Sequence, residues 1–192
     1  MTRMLRRVVK LGGSLLDWSD WRWRFEAWLA DQPPAENFLL PGGGALADAV
    51  REINALYPIS EVAAHWLCIR AMSVHAAQLA ARWPSARICR SLRELDGMPA
   101  AVGLVIVDPW PILQDEEPHY PGQPLPASWD VTSDSIAARI AEIIAADELV
   151  LLKSAPAAAS ESLAELSQRG YVDAFFPQAA EPFKRIRYVN LR

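Results

Sequence analysis

The chain has 192 residues and a formal net charge of -4, so it offers no basic face of the kind that holds nucleic acid. Apolar residues make up 52% of it and charged residues 22%, a balance that suits one globular domain with a sizeable core, yet no apolar run is long enough to cross a bilayer. The basic start, Met1 to Arg7, leads into a short strand pattern and not a signal-peptide core; Cys68 and Cys89 lack metal-type spacing and read as buried free thiols, which fits a reducing cytoplasm.

Met4 to Leu11 reads as a strand, apolar and β-branched, stopped by Gly12-Gly13. Ser14 or Asp17 then caps a helix through Trp18, Trp21, Trp23, Phe25 and Trp28 to Ala30. Trp21, Phe25 and Trp28 share the inward stripe, and Trp18 and Trp23 fall off it. Pro33-Pro34 ends the helix. Asn37 to Leu40 is a short strand feeding Pro41-Gly42-Gly43-Gly44. An amphipathic helix follows from Ala45 to Leu56, with Leu46, Val50, Ile53 and Leu56 on one side. Ser60 and Glu61 open a long helix that stops before Pro84. Ala86 to Cys89 and Val102 to Val107 are strands. The proline-rich stretch from Pro109 to Trp129 reads as a long surface loop, and such loops are functional or mobile. Thr132 to Ser135 starts a helix over 136–146. Glu148 to Leu152 is a buried strand ending at Lys153, Ser160 to Arg169 a helix stopped by Gly170, and Ile186 to Leu191 a last strand. Strands alternating with helices predict a three-layer α/β/α sandwich around a mostly parallel sheet, as one domain over 1–192.

Lysine occurs only at Lys10, Lys153 and Lys184; every other strong cation is arginine. A lysine is a compact, mobile point charge, whereas arginine is a planar fork. Lys10 sits beside Gly12-Gly13-Ser14, and glycines let a backbone approach an anion closely. In an α/β sheet, ligands bind outside the carboxyl ends of strands, where both glycine clusters and Lys153 fall. A helix N-terminus after each cluster adds partial positive charge. The two loops together predict a cradle for two phosphate-bearing groups. Neither has the Gly-Lys-Ser/Thr of a Walker loop or the Gly-x-Gly-x-x-Gly of a dinucleotide site. Asp134 reads either as a site carboxylate or as a first-turn acid on its helix. His65 reads either as a structural histidine or as a substrate contact, and His75 and His119 carry no pattern.

Three motifs, Val9-Lys10-Leu11-Gly12-Gly13-Ser14, Pro41-Gly42-Gly43-Gly44 and Thr132-Ser133-Asp134-Ser135-Ile136-Ala137-Ala138, stand in the order and rough spacing of the amino acid kinase superfamily. The chain resembles that superfamily, which includes acetylglutamate, aspartate, uridylate and carbamate kinases. The stretches Ile59 to Met72, Trp129 to Ile136 and Val172-Asp173 with Phe176-Pro177 look most like one branch, the kinases of methanofuran biosynthesis. That branch uses ATP to phosphorylate [5-(aminomethyl)furan-3-yl]methyl phosphate. The resemblance covers most of the chain.

It implies an ATP-dependent small-molecule kinase, with Mg2+ carried by the nucleotide, no further metal, and a phosphate or carboxylate acceptor. Lys10 would neutralise the transferring phosphoryl group, backbone N–H groups of Gly12, Gly13 and Gly43 would hold its oxygens, and Asp134 would orient the lysines. Ser14 would sit on the phosphate side. Gly42, Gly44, His65, Thr132 and Ser133 would shape the acceptor side. A homodimer built on the Trp-rich first helix or the long Ser60–Trp83 helix is implied too. Where the superfamily carries an Asp-x-x-Gly nucleotide loop, this chain reads Lys153-Ser154-Ala155-Pro156, and the nucleotide part, about 150–192, is short. The superfamily's second phosphate lysine then has two candidates, Lys153 and Lys184, with Glu181 near the latter's register. The altered loop leaves a non-catalytic ligand-binding or regulatory role as one alternative, and a kinase of an amino acid or carbamate as another.

Overall fold

The computed structural model describes residues 4–96, 102–158, 160–183 and 185–192. Six strands form one sheet: β1 (Arg6–Leu11), β2 (Glu36–Pro41), β3 (Arg87–Cys89), β4 (Gly103–Val107), β5 (Glu148–Lys153) and β6 (Ile186–Asn190). Their order is β3-β4-β2-β1-β5-β6, and every pairing is parallel. The sheet is thus wholly parallel, with helices on both faces. β2 is buried along its full length, as a strand covered on both faces must be.

The helices are α1 (Gly13–Leu16), α2 (Trp21–Ala30), α3 (Gly44–Leu56), α4 (Glu61–Arg82), α5 (Leu92–Asp96), α6 (Pro109–Pro111), α7 (Ser133–Ile143), α8 (Leu163–Gln168) and α9 (Phe176–Ala179). Strand side chains alternate between faces. Val8, Leu149 and Leu151 face α7 and the middle of α4. Val9, Leu11, Val150 and Leu152 face α2 and the end of α4. β1 has β2 on one side and β5 on the other, so its carboxyl end lies where the strand order reverses, the place where such sheets bind ligands.

Several elements differ from expectation. The helix predicted from residue 14 to 30 is two, α1 and α2, broken over 17–20. Asp17, Ser19 and Asp20 are of residue types whose side chains compete with helix, and Ser19 Oγ donates to Asp20 Oδ1. Trp21 and Phe25 are buried and Trp23 is exposed, as the stripe predicts. The stretch from Pro109 is not loop throughout. It makes α6, a π turn over Ile112–Glu116 and a 3-10 turn over Glu117–His119, because Pro109 and Pro118 sit in first turns, where no N–H is needed. Its Ile112 and Leu113 are core residues. The last long helix begins later than predicted, at Leu163, behind a capping box of Ser162 and Glu165. On α3 the apolar stripe faces outward: Leu46, Ile53 and Leu56 are exposed, and only Ala47 is buried. Cys89 is buried and Cys68 half-buried, both free. Among the described residues no helix is long and apolar enough to cross a membrane.

Candidate active site

The period of two in a strand explains why the lysines meet. Lys10 follows Val8 by two residues and Lys153 follows Leu151 by two, so both point to the α7 face. The strands are neighbours, with Lys10 opposite Leu151. α7 packs across this face and presents Asp134 from its first turn. Lys10 Nζ lies 2.9 Å from Asp134 Oδ1, and Lys153 Nζ lies 2.7 Å from Oδ2. Lys153 also donates to the Tyr171 carbonyl at 2.6 Å. All three side chains are buried or nearly so. The Lys10 contact with Oδ1 is a buried ion pair.

Burial opposes ionisation of Asp134, but Lys10 and Lys153 overcome it and hold the carboxyl below its usual range. For Lys153, burial and then the Lys10 charge win over Asp134, and its pKa falls to about 8. Asp134 therefore does more than complement its helix terminus: it is the shared counterion of two ammonium groups.

A second carboxylate holds α7 in place. Asp173 Oδ2 accepts from the Thr132 and Ser135 N–H groups at 2.9 and 3.0 Å and from Thr132 Oγ1 at 2.8 Å, while Oδ1 accepts from Ser135 Oγ. Burial and the nearby Asp134 charge raise the Asp173 pKa, against the pull of those bonds.

The two glycine loops touch. A Cβ on Gly13 would lie 2.4 Å from Gly44 N, and one on Gly42 would lie 2.6 Å from Gly13 N. Gly44 has φ +49, a conformation that suits glycine. Gly12 departs from expectation: its N–H is donated to Leu152 O at 2.9 Å, so it has none left for a phosphoryl oxygen. Its role is steric, because a Cβ there would lie 2.8 Å from that carbonyl. Gly42 likewise donates its N–H to Leu11 O. The N–H groups of Gly44, Ala45 and Leu46 open α3, where a helix has no partners of its own for them.

Beside the loops lies a cavity of about 280 Å³. Gly13, Ser14, Gly43, Gly44, His65, Thr132 and Ser133 all line it; Gly42 is buried behind it. Ser14 Oγ is 2.8 Å from Ser154 Oγ, at the seam with β5. Ile69, Met72, Val131 and Ile136 give apolar wall, and Arg51 and Asp48, paired at 2.5 Å, stand on another wall. His65 Nδ1 is 2.9 Å from the Ser128 carbonyl, and burial lowers its pKa against that bond. His65 therefore holds the Ser128–Trp129 segment and also borders the cavity. An open depression of about 330 Å³ adjoins Lys153, Asp134, Gly170 and Asp173 on the other side. Lys184 lies outside the described residues.

The sequence reading missed Asp173, Arg51, Asp48 and His75. Asp173 stands in the Val172-Asp173 stretch of the resemblance, but nothing local gives its role, since its partners lie 38 and 41 residues away. Arg51 and Asp48 look like an ordinary surface pair at i,i+3. Asp134 faces two lysines and Asp173 is taken up by α7; among the described residues there is no group of three or more His, Cys, Asp or Glu that could hold a metal ion.

No protein-family model and no curated protein matches the chain. Solved structures do. The uridylate kinase of Archaeoglobus fulgidus superposes with a TM-score of 0.64 at 20% identity, over 97% of this chain and 91% of that one. The chain has the fold of the uridylate kinases. UMP kinase from Bacillus anthracis gives a TM-score of 0.66 at 15% identity, over 99% and 88% of the two chains. UMP kinase from Ureaplasma parvum gives 0.61 at 15%, over 98% and 90%. The six-stranded parallel sheet with flanking helices is common to this chain and these neighbours, so the likeness runs through the whole sandwich and is not limited to the glycine loops.

Proposed function

We propose that this chain is a small-molecule kinase that transfers the γ-phosphoryl group of MgATP to a phosphate or carboxylate acceptor. The observation that carries the reading is the convergence of Lys10 and Lys153 on buried Asp134 between two glycine loops. Phosphoryl transfer asks a protein for positioning and charge more than for covalent chemistry. The nucleotide supplies the phosphoryl group and carries the Mg2+. An acceptor oxygen bonds to the γ-phosphorus as the bond to the β,γ-bridging oxygen breaks, and ADP leaves with that electron pair. Lys10 and Lys153 offset the charge of the phosphoryl oxygens, Asp134 aims both ammonium groups, and N–H groups at Gly13 and the start of α3 hold the oxygens. The depression beside Lys153 takes the nucleotide and the cavity beside Gly43 takes the acceptor.

[5-(Aminomethyl)furan-3-yl]methyl phosphate is the first acceptor. Apolar Ile69, Met72, Val131 and Ile136 suit a small ring, the Arg51 fork suits a phosphate, and Asp48 suits an ammonium. ADP release is to be measured with MgATP and a panel of this furan phosphate, UMP, amino acids and carbamate. Fastest turnover with the furan phosphate is expected. Preference for another acceptor moves the substrate and keeps the kinase.

A second reading has its own support, the Lys153-Ser154-Ala155-Pro156 segment in place of Asp-x-x-Gly. A non-catalytic member of the fold binds acceptor-site ligands by calorimetry, binds no ATP and releases no ADP, and that combination overturns the kinase.

The chain acts as a homodimer. Leu46, Ile53 and Leu56 on α3 and Tyr57, Ile59 and Val62 beside them are all exposed, and an apolar stripe of this extent is usually covered by a partner. A second copy presents the same stripe, as a two-fold interface requires. Light scattering should return twice the chain mass, and Leu56→Glu should halve it; a monomeric wild type ends this part of the reading.

A further inference from the structure

His75 belongs to no motif, yet it is buried and touches the acceptor-side loop. It sits in the second half of α4, 7% exposed, with Nε2 3.1 Å from the Gly43 carbonyl and Nδ1 3.2 Å from Gln78 Oε1. We propose that His75 is a positioning residue that fixes the Gly43–Gly44 peptide, and so the direction of the Gly44 N–H. The proposal rests on the kinase reading for its consequence in turnover, but not for its effect on the loop.

The geometry follows from the peptide unit. In a trans peptide the C=O and the following N–H point in opposite directions. A Gly43 carbonyl drawn toward α4 by His75 therefore turns the Gly44 N–H away from α4, toward the first glycine loop. Gly44 N is indeed the atom nearest to a Cβ built on Gly13, and Gly44 has φ +49 with His75 Nε2 only 3.3 Å from its own would-be Cβ. The Gly43 carbonyl also accepts from the Ala47 N–H at 3.1 Å, the first bond of α3, but neither Gly43 nor Gly44 has a side chain to hold this orientation. A peptide flanked by glycines on both sides rotates with little steric resistance, and rotation would aim a carbonyl where the site needs a donor. The hydrogen bond from His75, added to the one from Ala47, opposes that rotation.

Gln78 sets the other half of the arrangement. A carbonyl acceptor at Nε2 requires that nitrogen to carry the proton. Nδ1 then accepts from the Gln78 amide nitrogen, whose exchange with Oε1 is a rotation of the side-chain amide, or else a doubly protonated ring donates to both partners. In either form Nε2–H faces Gly43.

His75→Leu keeps the volume and removes the donor, whereas His75→Gln keeps an N–H within reach of the carbonyl. For His75→Leu we expect kcat to fall on the order of tenfold to a hundredfold, the scale of a misplaced catalytic group, with the KM for ATP little changed. His75→Gln should stay near wild type, and the two should melt at similar temperatures. Hydrogen exchange over residues 42–46 should speed up in His75→Leu and not in His75→Gln. Wild-type kcat in His75→Leu, or equal loss in both variants in step with lower melting temperatures, overturns the proposal. If the wild type proves inactive, the kinase reading fails on its own; unchanged exchange over residues 42–46 in His75→Leu then rejects the positioning role.

Discussion

Strands β1 and β5 carry a buried ion network at each end, and the two are built differently. At the amino ends, Arg7 lies 2.5 Å from Glu148, its partner in register, and forks to Asn37 Oδ1 at 2.8 Å. Arg185 and Arg187 reach the other Glu148 oxygen at 3.2 and 3.3 Å. At the carboxyl ends, Lys10 and Lys153 share Asp134, one on each oxygen. Arginine serves the closed, saturated network, where a rigid fork fits planar carboxylates. Lysine serves the open one, where ammonium groups keep donors for a ligand. The lysine bias in the sequence is this division of labour made visible.

Removing one cation from each end should separate the two roles. Lys10→Ala should lower turnover about a hundredfold to a thousandfold, on the scale of one lost oxyanion donor, while circular dichroism and melting report an intact fold. Arg7→Leu should do the reverse. It strips Glu148 of its closest partner, and breaking a buried pair costs about 3 kcal/mol or more of stability. Turnover per folded molecule should stay at the wild-type level. Equal behaviour of the two variants would dissolve the distinction between the ends.

pH draws the same line without a mutation. The arginines hold the Glu148 carboxyl below its ordinary range against burial, and the lysines do so for Asp134. A carboxyl that binds its proton less tightly when folded gives stability that is lost as pH falls through the folded pKa. Acid therefore weakens both ends. Alkali acts on the lysine end, because the folded Lys153 titrates at about 8 against an ordinary 10.5. Between those values the unfolded chain binds more protons, so stability rises with pH, by on the order of 3 kcal/mol in total. Turnover should fall over the same window as Lys153 loses its charge. Opposite slopes for stability and activity, both flattened in Lys153→Met, are the expected result, and parallel slopes would refute it.

Much of this was legible before any coordinates. Strands β1, β2 and β5 announce themselves as apolar runs closed by glycine or lysine, and a count of two along β1 and β5 puts both lysines on one face. The start of α7 is marked by Thr132-Ser133-Asp134. What stayed hidden was set at long range. The outward turn of the α3 stripe cannot be read from its spacing, because periodicity gives a face and not what the face meets. The prolines from Pro109 read as breakers, although in first-turn positions they permit helix. His75 on α4 looks like any helical histidine until the fold brings the Gly43 carbonyl to it. The wide reach of Asp173 to α7 has no trace in its neighbours along the chain.

That last residue supplies the smallest effect and the finest test of the comparison. Asp173 closes the N-terminus of α7 from outside the helix, taking donors from Thr132 and Ser135. Asp173→Asn keeps one acceptor oxygen but sets an amide N–H where an oxygen now accepts from α7, and the donor left without a partner should cost about 1 kcal/mol of stability. Against burial and the Lys10 charge, the Lys153 pKa is raised chiefly by Asp134 and to a lesser degree by Asp173, and the same change removes that lesser charge. The alkaline fall in turnover should therefore move to lower pH, while acid unfolding driven by Glu148 at the arginine end stays where it was. An unmoved alkaline limb, with the stability loss present, would mean that Asp173 secures α7 but leaves the lysine pair untouched.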